Sequence, residues 1–415
     1  MKLGLAAIDS LCDRLGRPER RVPSVLVGGT NGKGSTAAMV SSIAREAGVR
    51  AGLYTSPHLI HVTERIRLED ADVSSEELDA SLGRVFGAAD RAPEIPATYF
   101  EAMTAAAFDL FARRELELAV LEVGLGGRFD ATNVVPARLS AVTSISLDHV
   151  EELGGTLSAV AGEKAGIFRA GRPALAGFSH PDALHVLREA ARAVGADFHD
   201  LAGECVLEME AASLDGGRFS LRTPVREYAL ATPLPGRHQA ANAVVAVRAV
   251  ELLSPEISIS APEAIAAGLG RVRWPGRLER FRVAGRTILL DGCHNPEGAA
   301  ALARFLLEAG IVAETWLVFG AMADKDVETI AGSLFPALAG VSLVAPESSR
   351  AATPEELARR VSAVRPDARP EASLEAALRR LVSSESAKTI IVAGSLYLVG
   401  EARALLLAGR LGTPS

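Results

Sequence analysis

Short apolar runs rich in valine, leucine and isoleucine recur along the chain. Each is closed by a glycine or polar turn and followed by an alanine-rich stretch with apolar residues at helical spacing. This rhythm predicts βα units, because strands of a parallel sheet are buried on both faces and read as continuous apolar runs. The clearest are Val25–Val27 before a glycine-rich loop and a helix over 35–47, Ala119–Val123 before Gly124, and Ala141–Ser146 before Asp148-His149. Further on, Thr287–Leu290 leads into Asp291-Gly292-Cys293-His294-Asn295-Pro296 and a helix over 297–309, while Trp316–Phe319 precedes Gly320 and Ile390–Ala393 precedes Gly394-Ser395. Between these sets, Glu204–Tyr228 alternates around Asp215-Gly216-Gly217 and predicts an antiparallel hairpin. The Pro-Gly punctuation of Arg273-Trp274-Pro275-Gly276-Arg277 reads as a linker, so two domains are expected, 1–273 and 274–415.

Composition narrows the picture. A length of 415 residues suits two domains, and 48% hydrophobic with 23% charged residues is an ordinary globular balance that disfavours disorder. A formal charge of -7 leaves no basic footprint for nucleic acid. Three widely spaced cysteines, Cys12, Cys205 and Cys293, have no metal-type pairing and suit a reducing compartment. Met1–Leu15 carries Asp9 and Asp13 and lacks a long apolar run, and no stretch reaches the ~18 apolar residues of a membrane span. The expectation is a cytoplasmic protein with no membrane partner, and a monomer, because no long apolar seam is visible.

The candidate chemistry begins at Gly29-Thr30-Asn31-Gly32-Lys33-Gly34-Ser35, after the strand ending at Val27. Glycines let the backbone turn several N–H groups toward one point, the following helix adds its positive end, and Lys33 supplies a point charge, which together fit a polyphosphate. The fold expected is therefore α/β: a P-loop-type, mostly parallel sheet domain with an attached small antiparallel β element, plus a second Rossmann-like α/β domain. The loop departs from the general G-x-x-x-x-G-K-[ST] pattern, since Gly34 stands where a magnesium-binding hydroxyl would follow the lysine. Ser56, in Tyr54-Thr55-Ser56-Pro57-His58, is the substitute hydroxyl if it is more than a turn residue. Glu122 ends a buried strand, where an acid either pairs with a cation or holds a metal. His149 follows a third strand, at the edge where open α/β sheets place ligands. Judged from the residues alone, Lys164 would be an exposed helix lysine.

The motifs as a set resemble one family, the folylpolyglutamate synthase and dihydrofolate synthase branch of the Mur-ligase superfamily. The resemblance is carried by Leu15-Gly16-Arg17-Pro18, the loop Gly29–Ser35, Thr55-Ser56-Pro57-His58-Leu59 with Glu64-Arg65-Ile66, Thr98-Tyr99-Phe100-Glu101, and the block Leu121–Asn133. It continues through Asp148-His149, Glu163-Lys164-Ala165-Gly166, Gly236-Arg237-His238-Gln239 with Asn242, Pro275-Gly276-Arg277, Asp291–Pro296, Asp324-Lys325-Asp326 and Gly394–Leu398. These blocks span nearly the whole chain in family order.

What the resemblance implies is ATP-dependent ligation of L-glutamate to dihydropteroate, to the γ-carboxylate of folates, or to both, through an acyl phosphate. By the same resemblance, Thr30–Ser35 hold the triphosphate, with Asn242, Arg277, Asp291 and His294 taking the rest of the nucleotide. Ser56, Glu122 and His149 would bind magnesium, with two ions expected. Lys164 would be carboxylated to a carbamate and act with His149 and Glu122 in catalysis. Arg65, Thr98, Tyr99, Phe100, Glu101, Phe129, Asp130 and Ala131 would line the pteroyl pocket, with Asp130 bonding to the ring's polar edge. Cys293 stands where the family often has alanine, and Arg67–Asp72 lacks the usual glycine turn. The rival readings are a cell-wall or cyanophycin-type ligase and a P-loop small-molecule kinase. The second leaves the Asp291–Pro296 turn unexplained.

Overall fold

The structure, a computed structural model, describes residues 4–148, 153–384 and 387–411. Its first sheet is built from β1 Ser24–Gly28, β2 Ala51–Tyr54, β3 Ile66–Leu68, β4 Ala71–Asp72, β5 Leu118–Glu122, β6 Leu139–Val142, β7 Pro173–Ala176 and β8 Asp197–Asp200. The spatial order is β4-β3-β2-β5-β1-β6-β7-β8. The pairings from β2 to β8 are parallel, and β3 and β4 add an antiparallel flap at one edge. The two-residue period of a strand divides its side chains between two cores. Leu26 faces one core with Ile8, Leu11 and Tyr54, whereas Val25 and Val27 face the other with Met39, Val40 and Ile43. Both faces are covered, which explains why these strands carry no polar alternation.

The helix Lys33–Glu46 leaves the end of β1 and is buried along residues 34 to 44. It packs against the helices Arg237–Leu253 and Pro262–Arg271. Over that second helix lies a separate antiparallel sheet of β9 Val206–Ser213, β10 Gly216–Arg222 and β11 Glu227–Thr232. The sequence pattern suggested only a hairpin here. The turn at Thr223–Arg226, closed by Thr223 N–H on the Arg226 carbonyl at 2.9 Å, returns the chain as a third strand. In that strand Tyr228, Leu230 and Thr232 alternate inward.

The second large sheet comprises β12 Arg277–Val283, β13 Arg286–Asp291, β14 Thr315–Phe319, β15 Gly340–Leu343, β16 Arg369–Pro370 and β17 Thr389–Ala393, in the order β12-β13-β17-β14-β15-β16. Only β12 runs antiparallel. Leu289 faces one core, while Ile288 and Leu290 face the other. Residues at the ends of β1, β5, β6, β13 and β17 border one shared cleft, so the two sheets point their carboxyl edges at each other. Among the described residues no helix is long and apolar enough to cross a membrane.

A buried ion pair anchors the small sheet to the helix Arg237–Leu253. Glu251 accepts from Arg248 Nη1 at 2.6 Å, the Tyr228 hydroxyl at 2.7 Å and the Thr223 hydroxyl at 2.8 Å. Removing the guanidinium alone would leave a carboxylate buried beside two neutral donors. Arg248→Met is therefore expected to lower unfolding stability by about 3 kcal/mol, read by urea denaturation, whereas a surface variant such as Arg222→Met should stay within about 0.5 kcal/mol.

Candidate active site

The cleft between the sheets has a volume of about 470 Å³. It brings together most of the residues picked out for nucleotide and metal. Thr30, Asn31, Gly32, Lys33, Gly34 and Ser35 form its floor, Ser56, Glu122 and Lys164 flank them, and Asn242, Arg277, Asp291 and His294 face them. His149 lies outside the described residues.

The loop is pinned to the end of β6. Thr30 N–H donates to the Ser144 carbonyl at 2.8 Å, and the Thr143 hydroxyl donates to the Asn31 carbonyl at 2.6 Å. Gly32 caps the helix at φ 85°, and a Cβ there would stand 2.2 Å from Asn242 Oδ1, so only glycine fits. Gly34, the departure from the general motif, has a different cause. A Cβ at 34 would meet the Trp274 indole at 2.9 Å, so the linker tryptophan occupies the space a side chain would need. The Trp274 ring is itself covered by the Arg67 guanidinium, 5.4 Å from its centroid, which ties linker, loop and flap together. Ser35, one residue later, is the hydroxyl that the helix's first turn offers.

Lys33 Nζ donates to the carbonyls of Gly29 and Thr30 at 3.1 and 3.0 Å. Lys164 also reaches the Gly29 carbonyl, at 2.8 Å. Lys164 is only 4% exposed, which overturns its reading as a surface lysine. It closes the short helix Leu157–Ala165, which packs against the helix Pro181–Val194 and turns the lysine inward rather than to solvent. Burial, reinforced by the Lys33 ammonium, pushes its amine down to about 7. Burial lowers Lys33 as well, against the pull of Glu122 and Asp148.

Glu122 is buried at the end of β5, and its Oε2 accepts from Ser56 N–H at 3.1 Å. Burial raises its carboxyl above the usual range despite the attraction of Lys33. Glu122, Ser56 and Ser35 all line the cleft, and a carboxylate with hydroxyls offers the oxygen donors that suit magnesium or manganese. Among the described residues no three acidic, histidine or cysteine side chains gather as a ready-made metal centre.

The second unit contributes through the turn after β13. Asp291 accepts from Leu278 N–H and Cys293 N–H at 3.1 and 3.0 Å, fixing the turn while its carboxylate borders the cleft. His294 Nδ1 donates to the Gly292 carbonyl at 2.8 Å, which aims Nε2 at Asp148, 3.5 Å away. Several residues here were absent from the sequence-derived set. Asn295 and Lys325 both bond Asp148 beside the cleft, and His238 lies in its wall, its imidazole pKa lowered by burial against the pull of Asp291. Each stood inside a recognised motif block, but the blocks alone did not show that they converge.

The eight pteroyl-pocket candidates fare differently, since none borders this cleft. Thr98 and Glu101 cap the helix Tyr99–Arg113 reciprocally. Asp130 has both carboxylate oxygens engaged, Oδ2 by Gly124 and Leu125 N–H at 3.0 Å and Oδ1 by the N–H and hydroxyl of Thr132. These bonds shape the 124–132 loop. Ala131 is buried in the core, and half-buried Phe100 packs on Tyr54 with centroids 6.1 Å apart. Arg65, Tyr99 and Phe129 remain available. Arg65 donates to His58 Nδ1 at 2.9 Å and lies over the Tyr99 ring at 5.4 Å, while Tyr99 and Phe129 are 59% and 44% exposed.

Residues 27–250 match the family described as Mur ligase middle domain, and residues 276–396 match Mur ligase, glutamate ligase domain. The chain is 35% identical over 411 residues to the dihydrofolate synthase/folylpolyglutamate synthase of Bacillus subtilis, covering 97% of this chain and 95% of the relative. It superposes with a TM-score of 0.87 on Escherichia coli FolC in complex with DHPP and ADP, at 29% identity, over 99% of this chain and 94% of that one. The bifunctional folylpolyglutamate synthase/dihydrofolate synthase of Yersinia pestis, complexed with AMPPNP and Mn ion, gives a TM-score of 0.86 at 30% identity, covering 98% and 94%. Matches of this extent, on top of a phosphate loop facing a second α/β unit, make the chain a member of the folylpolyglutamate synthase/dihydrofolate synthase family of Mur ligases.

Proposed function

We propose that this chain joins L-glutamate to dihydropteroate and to the γ-carboxylate of folates at the expense of ATP, in the cleft between its two α/β units. The observation that carries this reading is the meeting of Lys33, Glu122 and Lys164 from one unit with Arg277, Asp291 and His294 from the other. The relatives' names and bound nucleotides point the same way. We take 1–273 as the unit that holds the triphosphate and 274–415 as the unit that completes the nucleotide site. The three free, buried cysteines suit a reducing cell interior.

In the reaction the γ-phosphoryl of ATP passes to an oxygen of the acceptor carboxylate and ADP leaves. The amine of glutamate then attacks the acyl carbon, phosphate departs and the amide forms. The loop N–H groups and the start of the helix Lys33–Glu46 receive the phosphates. Lys33, now bonded to two loop carbonyls, is within its own side-chain swing of that position and follows the charge as it moves. Ser56, Ser35, Glu122 and, by resemblance, His149 would hold the divalent cation, which neutralises charge on the triphosphate. Arg277 and Asp291 fix the nucleotide from the opposite wall. Arg65 and Tyr99, with Phe129, offer a cationic and aromatic surface for a pteridine.

Lys164 is read as the site of carboxylation. Its neutral amine attacks the carbon of carbon dioxide, a proton leaves to solvent and an N–C bond forms, giving a carbamate anion. Two amino groups crowded on the Gly29 carbonyl, which repel when both are protonated, would thereby become an opposite-charge pair. The buried position keeps the amine in its reactive form near neutrality.

Two outcomes test the reading. Lys33→Ala and Glu122→Ala should melt near the wild-type temperature yet lose about 100-fold or more of glutamate-dependent ADP release with dihydropteroate or tetrahydrofolate as acceptor. Full turnover by either variant would remove the residue from the mechanism. For Lys164, the sign of the pH effect follows from an amine lowered to about 7. Above that pH the neutral amine dominates, and below it the ammonium does. Enzyme freed of carbon dioxide should regain activity with bicarbonate readily at about pH 8 and poorly at about pH 6. Lys164→Ala should lose activity and recover part of it with a short carboxylate such as propionate. Bicarbonate-independent activity together with no carboxylate rescue would refute the carbamate.

A further inference from the structure

Asn295 is 2% exposed at the junction of the two units, and its side chain makes four hydrogen bonds. Its Oδ1 accepts from Gly298 N–H at 2.9 Å, capping the helix Pro296–Glu308, and from Asn31 Nδ2 at 3.2 Å. Its Nδ2 donates to Asn31 Oδ1 at 3.0 Å and to Asp148 Oδ2 at 3.1 Å. An amide side chain has two donors and two acceptor lone pairs, so this one is fully satisfied.

Capping accounts for only one of the four bonds, and Ser or Asp would cap equally well. The other three all cross to the first unit. Two of them form a reciprocal amide pair with Asn31, a phosphate-loop residue 264 positions away in sequence. Asn31 Nδ2 is further held by Glu297 Oε2 at 2.5 Å. Beside the pair, Asp148 binds Lys325 Nζ at 2.7 Å and lies 3.5 Å from His294 Nε2.

We infer that Asn295 is a positioning residue for the ligation, the centre of a latch that registers the phosphate loop of one unit against the second unit. The paired amides fix both separation and twist, because each bond is directional and neither can rotate without breaking the other. The ion pair of Asp148 and Lys325 closes the rim without specifying twist. Since Lys33 and Glu122 come from one unit and Arg277, Asp291 and His294 from the other, their mutual placement depends on contacts between the units; these include the ion pairs Arg237–Glu308 and Arg280–Asp215, and the amide pair is the contact that reaches the phosphate loop itself. The side chain of Asn31 thereby serves the contact between units.

The kinetic part of the test rests on the ligase reading, and the scattering part does not. Asn295→Ser keeps the cap oxygen and removes the amide pair, and Asn31→Ser removes it from the other side. Each should lower kcat for glutamate-dependent ADP release about tenfold, with a melting temperature close to wild type. The double variant should be no slower than the slower single variant, because both break the same pair. Effects that multiply to about 100-fold, or an Asn295→Ser enzyme as fast as wild type, would overturn the latch. Small-angle X-ray scattering of the ADP-bound proteins should show a larger radius of gyration for Asn295→Ser than for wild type, and an unchanged radius would overturn it too. Should Asn295→Ser fail to fold, Asn31→Ser is read by the same scattering change. A wild type that releases no glutamate-dependent ADP would sink the ligase reading and leave the scattering result standing.

Discussion

Two lysine side chains converge on one carbonyl, that of Gly29, and the rest of the site depends on that crowding. Neither amino group has a carboxylate within bonding distance among the described residues, and Glu122, the acid that pulls most on Lys33, is bonded instead to Ser56 N–H. A site charged in this way gains from anions, and phosphate groups and a carbamate are both anionic. The same burial that makes the charges costly lowers the Lys164 amine into the range where it can react. One electrostatic cause, the burial of like charges, thus acts on both lysines.

The crowding is possible because the loop itself is held without using those lysines. Its backbone hangs from Thr143 and Ser144 at the end of β6, and its tight start is fixed by glycines that touch Asn242 and Trp274. Trp274 belongs to the linker, and Arg67 above it belongs to the flap. A change in any of the three segments is felt by the phosphate loop, because the interior is packed closely enough to transmit it. On the opposite wall the turn after β13 is equally fixed, with Asp291 holding two backbone N–H groups and Asn295 capping the helix that follows. Two rigid edges brought face to face give a cleft whose chemistry is split between them. Precise contact between the units is then a requirement of the chemistry as much as of the fold.

Much of this was legible in the chain. The continuous apolar runs marked β1, β5, β13, β14 and β17, since buried parallel strands leave no polar alternation, whereas the run read at 141–146 only overlaps β6, Leu139–Val142. The glycine loop, the acid at the end of β5 and the Asp291–Pro296 turn marked segments that come to border one cleft, since the strand ends of open sheets face such crevices. Lys164 was misread from its own surroundings. Glu163-Lys164-Ala165-Gly166 looks like an exposed helix end, and nothing local reports that this helix turns its last lysine under the phosphate loop. The bonds of Asp130 to its neighbours' N–H groups were not read from the sequence either. A carboxylate that begins a tight turn is first a partner for the backbone next to it.

The sequence alone determined the elements and the class of chemistry, because strand burial, helix capping and phosphate cradling are local properties of a few consecutive residues. Tertiary structure decided what no local pattern encodes. It set the absence of a side chain at Gly34, through an indole 240 positions away. It also set the lowered basicity of Lys164 and the pairing of Asn31 with Asn295. These three depend on distances between segments far apart in the chain. Such distances exist only once the two sheets have packed and closed on each other.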